Sequence, residues 1–294
     1  MSELHRHVSA LASDIGERNV WRFVALQRAL EYIEGQLRDC GYSPARQTFE
    51  VARLPISNVD VELAGTGTST RARESIVIGA HYDTVGGCPG ANDNGTGIAA
   101  MLELARRFAG RPQPRALRFV AFVNEEPPFF QTPQMGSVVY ANAAKARGDR
   151  IAGMLSLETM GYYSDDRGSQ QYPAEEMRGL YPDVGNFIGF VANEDSRELL
   201  EAAARAFSSR ANVPLQAAAL PDALPGTGWS DHWSFWQAGY RALMVTDTAP
   251  WRYPWYHTPQ DTPDKIDFDR FADVVDGLEA VLEGLAAATP SVAR

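Results

Sequence analysis

The run Ala116–Val123, ALRFVAFV, carries one charge and shows no alternation of apolar with polar residues. A strand with one wet face alternates, so this run is expected to be covered on both faces, as parallel strands under helical crossovers are. The flanking sequence agrees. Helical spacing of Val8, Leu11, Val20, Phe23, Val24, Leu26, Leu30, Ile33 and Leu37, with Gly41 behind them, predicts one or two opening helices. TFEVARL, NVDVELA and SIVIGAHYD, each bounded by Pro, Gly, Ser or Asn, predict strands. Helix signals at Thr96–Phe108, Ser137–Arg147, Ser196–Arg210 and Phe268–Leu285 then alternate with strand signals at Ile151–Leu157, Asn186–Val191 and Tyr240–Val245. That alternation predicts an α/β sandwich around a largely parallel central sheet. No repeat, low-complexity tract or linker interrupts it, so residues 1–294 are read as one domain. Two aperiodic stretches rich in Gly, Pro, Tyr and Asp, Ser164–Asn186 and Pro221–Ser230, are read as functional loops that wall a pocket.

Composition excludes several classes of function. Against 37 Asp plus Glu stand 27 Lys plus Arg, a formal charge of −10, with no clustered basic footprint for phosphates, so no nucleic acid partner is expected. No stretch of about 18 apolar residues offers a membrane span. The opening MSELHRHVSALASDIGERNV is broken by acids where an export signal needs an apolar run, so a cytoplasmic protein is expected. Cys40 and Cys88 are too few for a disulfide framework and form no CxxC pair.

The chemistry-bearing residues fall where the predicted buried strands end. SIVIGA stops on His81-Tyr82-Asp83; residues two apart in a strand share a side, so His81 can bind a metal while Asp83 accepts the hydrogen of its other ring nitrogen. Asp93 lies in GANDNGTG, just before a predicted helix, where Asn92, Asp93 or Asn94 would equally serve as a helix cap. ALRFVAFV stops on Asn124-Glu125-Glu126, two carboxylates too costly to bury without cations. Adjacent residues point apart, so one can ligate while the other handles a proton. GMLSL stops on Glu158, and His257 follows far along the chain in WYHTPQDTP, beside Tyr256. Imidazole and carboxylate without thiolate suit zinc, with manganese or cobalt as possible substitutes. Two His and three carboxylates exceed the three protein ligands of one catalytic zinc; with one carboxylate bridging they serve two metals, the pattern of a hydrolytic two-metal site.

The blocks HYD, GANDNGTG, NEE, LETMGYY, SDHWSFWQAGYRAL and YHT, in that order over residues 81–257, resemble the co-catalytic zinc aminopeptidase family, which also contains glutamate carboxypeptidase and glutaminyl cyclase. The resemblance implies an α/β/α sandwich around a mixed, mainly parallel sheet. It implies two Zn2+ per chain, one on His81 and Glu158, one on Glu126 and His257, with Asp93 bridging. By the same match Glu125 is the general base and Tyr256 the hydroxyl that bonds the oxyanion. Three departures bear on this. Glu158 stands where better-known peptidases have Asp, PPFFQTPQMGS after Glu126 is longer and more aromatic than usual, and His81 is present where the single-zinc cyclases lack that ligand, which favours hydrolysis over cyclisation.

The expected activity is aminopeptidase action on peptides, with carboxypeptidase or amidohydrolase action on a small amide, a cyclase-like acyl transfer, or a non-catalytic binding role as alternatives. Arg167, Arg178 and Arg252 could supply a carboxylate pocket for the second. Asp231-His232 is expected to position a loop beside the site, His232 through a hydrogen bond rather than as a ligand. The aromatics Trp229, Trp233, Trp236, Trp251, Tyr253 and Trp255 are read as core or as an apolar specificity pocket. His5 and His7 are expected to face solvent, and Cys88 to be incidental.

Overall fold

The computed structural model describes residues 2–66 and 74–288. Eight strands form one sheet: β1 (Ala45–Val51), β2 (Leu54–Leu63), β3 (Glu74–His81), β4 (Ala116–Phe122), β5 (Arg150–Glu158), β6 (Ile188–Ala192), β7 (Leu215–Ala219) and β8 (Ala242–Thr246). Their order is β1-β2-β4-β3-β5-β8-β6-β7. The central pairings β4–β3, β3–β5 and β5–β8 are parallel, as is β6–β7, while β1–β2, β2–β4 and β6–β8 are antiparallel. The sheet is therefore mixed and mainly parallel, as expected. His81 at the end of β3 lies level with Phe122 of β4, and Glu158 at the end of β5 with Thr246 of β8. Parallel registry thus delivers several strand ends to one edge.

The apolar run that predicted this architecture is buried from both sides. Phe119 and Ala121 of β4 join Ile76 and Ile78 of β3 in the larger core, with Leu104 and Phe108 of α3 (Gly97–Phe108) and Val274 and Leu278 of α8 (Phe268–Ala287). Val120 and Phe122 face the other way with Val77, against Tyr140 of α4 (Gly136–Arg147) and Phe235 of α6 (His232–Ala238). Each fully buried Phe on this strand contributes about 1.5–3 kcal/mol relative to exposure. α1 (Glu3–Ser9), α2 (Phe23–Asp39) and α5 (Arg197–Ser208) complete the larger layer, with Leu4, Leu30 and Leu200 in its core.

Two local expectations change. TFEVARL is not one strand: Val51 pairs with Leu54 across a two-residue turn in which Ala52 and Arg53 both take positive φ, 50° and 66°. Such turns normally announce themselves with Asn or Gly, so this hairpin carries no sequence signal. The half-exposed edge strand β7, LQAAA, carries no apolar pattern from which to expect it. His7 does not face solvent. It is 3% exposed, its Nδ1 lies 2.7 Å from the Tyr32 hydroxyl, and burial pushes its pKa down to about 4. His5 is half-buried, its ring 4.6 Å from that of Phe268.

Candidate metal centre

Every residue of the candidate set sits where a regular element stops. His81 ends β3 and Glu158 ends β5, while Glu125 and Glu126 follow β4. Asp93 lies in the irregular helical turn Ala91–Thr96 that leads into α3, and His257 in the turn beyond α7 (Ala249–Arg252). Three non-glycine residues here adopt positive φ: Asn124 (61°), Thr159 (44°) and His257 itself (57°). Backbone held in this sparsely populated region persists only where surrounding contacts enforce it, and it gathers at functional sites. The ambiguity at GANDNGTG is resolved by division of labour. Asn94 Oδ1 accepts from the Gly97 N–H at the start of α3 (3.0 Å), as a cap does, and Asn94 Nδ2 donates to the Leu157 carbonyl (2.8 Å). Asp93 is left with its carboxylate pointing at two imidazoles.

Those contacts define the geometry. Asp93 Oδ1 is 3.3 Å from His81 Nε2, and Asp93 Oδ2 is 3.0 Å from His257 Nε2. On the first side Glu158 Oε2 is 3.3 Å from His81 Nε2; on the second Glu126 Oε2 is 3.3 Å from His257 Nε2. Glu125 Oε2 is further out, 3.8 Å from His81 Nε2. Donors bound at zinc distances in a tetrahedron lie about 3.4 Å apart, so these spacings suit shared cations. Glu126 Oε1 and His257 Nε2 are buried and make no hydrogen bond among the described residues. Single ligand atoms of His81, Asp93 and Glu126 all lie within 4.8 Å of one another. The donor set therefore fits a divalent cation of the zinc type.

Electrostatics say the same. Burial pushes Glu125 well above the usual carboxylate range, with the Glu158 and Glu126 charges adding to it against an opposing His81. Burial and the Asp93 charge push Glu126 up to about 7, and burial raises Glu158. Burial opposes the charge on Asp93 too, but its close approaches to His257 and His81 outweigh that and hold its carboxyl low. Both imidazoles are raised against the pull of burial, His81 by the charges of Glu158 and Glu125, His257 to about 10 by its contacts with Asp93 and Glu126. So much buried negative charge is costly without cations.

Asp83 faces the other ring nitrogen of His81 at longer range than a direct hydrogen bond. His81 Nδ1 lies 3.2 Å from the Asp83 backbone carbonyl, and the carboxylate is 3.6 Å away. That carboxylate instead accepts the backbone N–H groups of Glu125 (3.1 Å, on Oδ1) and Glu126 (3.2 Å, on Oδ2). It holds the turn after β4. Sequence reasoning missed three supports of this kind. Arg18, fully buried, donates to the carbonyls of Leu11, Gly16, Tyr82, Pro89 and Gly90 and so ties the loop between His81 and Asp93 to the N-terminal segment. Asp261 accepts the N–H groups of Asn92 (2.8 Å) and Asp93 (3.1 Å). Ser230 donates to Glu158 Oε2 (2.7 Å); its only signal was its place beside Asp231-His232.

The walls are those expected of the two aperiodic stretches. An apolar cavity touches Glu158 and Tyr256 and is lined by Tyr172 and Met177 from one stretch and Leu224 and Trp229 from the other. No Arg or Lys lines it among the described residues. Arg167 and Arg178 are exposed, and Arg252 is buried beneath the wall, donating to Gln170 Oε1 (2.8 Å) and the Phe187 carbonyl (2.7 Å). The Tyr256 ring stacks on His257 at 3.8 Å, and burial with the Asp93 and Glu126 charges holds its phenol protonated. His232 makes no ligand contact: Nε2–H donates to the Thr227 carbonyl (2.8 Å), and burial pushes the ring's pKa down to about 4. Asp231 is fully buried, and neither carboxylate oxygen meets a hydrogen-bond partner among the described residues. The aromatic cluster divides, Trp229 and Trp251 lining the cavity and Trp236 joining the core. Burial raises the Cys88 thiol to about 12, which keeps it protonated at neutral pH.

Carboxylates and imidazoles gathered at the carboxyl edge of an α/β sheet, beside an apolar cavity, make a metal-site enzyme architecture. The family model for peptidase family M28 matches residues 58–282, and the chain belongs to that family. It is 34% identical to protein YfbL of Escherichia coli (strain K12), itself uncharacterized, over 95% of this chain and 87% of that one. To aminopeptidase YwaD of Bacillus subtilis (strain 168) it is 29% identical over 70% of this chain and 40% of that protein. The fold matches the aminopeptidase from Aneurinibacillus sp. strain AM-1, with a TM-score of 0.73 and 18% identity over 95% of this chain and 92% of that one.

Proposed function

We propose that residues 1–294 act as one unit, a zinc-dependent aminopeptidase that removes N-terminal residues bearing apolar side chains from peptides. The observation that carries this is the division of the Asp93 carboxylate, one oxygen toward His81 and the other toward His257. His81 and Glu158 would hold one zinc, Glu126 and His257 the other, with Asp93 shared. When bound, such a pair polarises a carbonyl and makes water acidic enough to deprotonate near neutral pH.

The chain's own groups do the rest. Glu125, 3.8 Å from His81 Nε2 and so set back from Asp93 and Glu158 at 3.3 Å, takes a proton from the attacking water and delivers it to the leaving nitrogen. The Tyr256 hydroxyl, kept protonated, donates to the carbonyl oxygen as negative charge builds there. The apolar cavity takes the terminal side chain. Glu158 at its edge and the absence of Arg or Lys from its lining, among the described residues, favour a substrate with a free ammonium over one with a free carboxylate.

The test is a panel of aminoacyl and N-blocked chromogenic amides, with and without chelator. Chelator-sensitive cleavage of leucyl and methionyl substrates is expected. Cleavage of blocked substrates alone would sink the aminopeptidase reading, and full activity after exhaustive chelation would sink the metal.

A further inference from the structure

Among the described residues, four large apolar side chains are left exposed: Trp21, Val24, Leu180 and Trp229. They are not scattered. Trp229 lines the cavity, stacked on Trp251 at 6.3 Å, and Leu180 lies in the loop whose Met177 and Tyr181 line it. Trp21 (63% exposed) lies in the turn leading into α2, and Val24 (75%) three residues on in the helix's first turn. Trp21 stacks on Phe129, ring centroids 5.8 Å apart and 22° from parallel. Neither of that pair lines the cavity.

The Trp21–Phe129 pair is joined to the metal cluster through its own backbone. Phe129 lies three residues beyond Glu126, and its N–H donates to the Glu126 carbonyl (3.0 Å). Trp21 gives its N–H to Asn19 Oδ1 (3.1 Å), and Asn19 Nδ2 donates to the carbonyl of Thr84, three residues past His81. Gln131 Nε2 reaches the Gly228 carbonyl (3.1 Å) and ties this aromatic loop to the Gly226–Trp229 wall of the cavity. The rim is therefore continuous: cavity, ligand turn, then an aromatic surface whose backbone is hydrogen-bonded to both.

We infer that Trp21 and Phe129 form a binding platform for the side chain of the substrate's second residue, selecting peptides with an aromatic or large apolar group there. This rests on the peptidase reading above. With the terminal side chain in the cavity and its carbonyl at the cluster, the rest of the peptide leaves over the turn at Glu125–Glu126, where Phe129 follows. An offset aromatic pair already in place gains from a third ring without having to be ordered first.

The test compares zinc-loaded wild type with Trp21→Ala and Phe129→Ala on Leu-Phe, Leu-Gly and leucinamide. Wild type is expected to prefer Leu-Phe over Leu-Gly by about tenfold in kcat/KM, and each variant to shrink that ratio roughly three- to tenfold. An unchanged ratio, or an equal fall on all three substrates, overturns the platform. In parallel, calorimetric binding of both dipeptides to zinc-loaded Glu125→Gln, with and without Trp21→Ala, reads the platform without turnover. Tighter binding of Leu-Phe that disappears with Trp21 supports it even if no peptide is cleaved, in which case the peptidase reading alone fails. Equal binding of both dipeptides overturns the platform even if both are cleaved.

Discussion

Replacing Asp83 by Asn separates two roles that the carboxylate could play. Its two oxygens each accept a buried backbone N–H, from Glu125 at 3.1 Å and from Glu126 at 3.2 Å. Asn has one acceptor oxygen and one NH2, so in either rotamer one of those N–H groups meets a donor. A buried donor left unsatisfied costs about 1–3 kcal/mol. Asp83→Asn is therefore expected to lose about 2 kcal/mol, and Asp83→Ala, which strands both N–H groups, more. With a urea m-value of about 3 kcal/mol/M, the upper end for small proteins, 2 kcal/mol lowers the unfolding midpoint by roughly 0.7 M. Displacing Glu125 by about 1 Å should also cost activity on the order of 10²-fold. The assay is urea unfolding at fixed zinc, with kcat on leucinamide. Had the carboxylate served only to orient the His81 ring, a single acceptor would suffice and Asn would be nearly silent. Stability within about 0.5 kcal/mol of wild type and activity within threefold would refute the turn-holding role.

Other consequences follow from the same contacts. Glu125→Gln should lower kcat by at least about 10²–10⁴-fold while zinc content by elemental analysis stays at the wild-type level; near-wild-type turnover removes Glu125 as base. Gly97→Ala places a Cβ 2.3 Å from Asn94 Oδ1 and 2.4 Å from the Leu157 carbonyl oxygen, and the latter is strand backbone that cannot yield, so thermal unfolding should show a loss of about 1–3 kcal/mol. His7 has a folded pKa of about 4 against about 6.5 unfolded, so the unfolded chain binds the proton first. Its contribution, about 3 kcal/mol, is complete above pH 6.5 and drains as pH falls from 6.5 to 4. Denaturant curves across that range should be shallower in pH for His7→Gln, and identical slopes would contradict its burial. Zinc at 100 times its dissociation constant should add about 2.7 kcal/mol to unfolding, a gain that Asp93→Ala abolishes.

Much of the site was legible because burial of charge is costly enough to leave a mark. SIVIGA, ALRFVAFV and GMLSL read as strands, and an acid or imidazole at the end of each needed a reason. His81, Asp93, Glu126, Glu158 and His257 do converge in space. The less visible parts were those whose partners are backbone atoms. Arg18 spends its five hydrogen bonds on carbonyls, which every residue has, so no pattern in the chain points to it. The Ala52-Arg53 turn and edge strand β7 were hidden for a related reason, since their conformations come from sheet pairing rather than from their own side chains.

By itself the sequence determined the class of fold and picked out the candidate donor groups, because periodicity and the cost of buried charge are local properties. Only the tertiary structure decided the partnerships. Strand order and parallel registry level the ends of β3 and β4, and chain closure brings His257 back across more than 150 residues to Asp93. The same closure gave the Asp83 carboxylate two backbone N–H groups besides the imidazole 3.6 Å away, and set Trp21 against Phe129. Distance through space is fixed by packing, and spacing along the chain does not encode it.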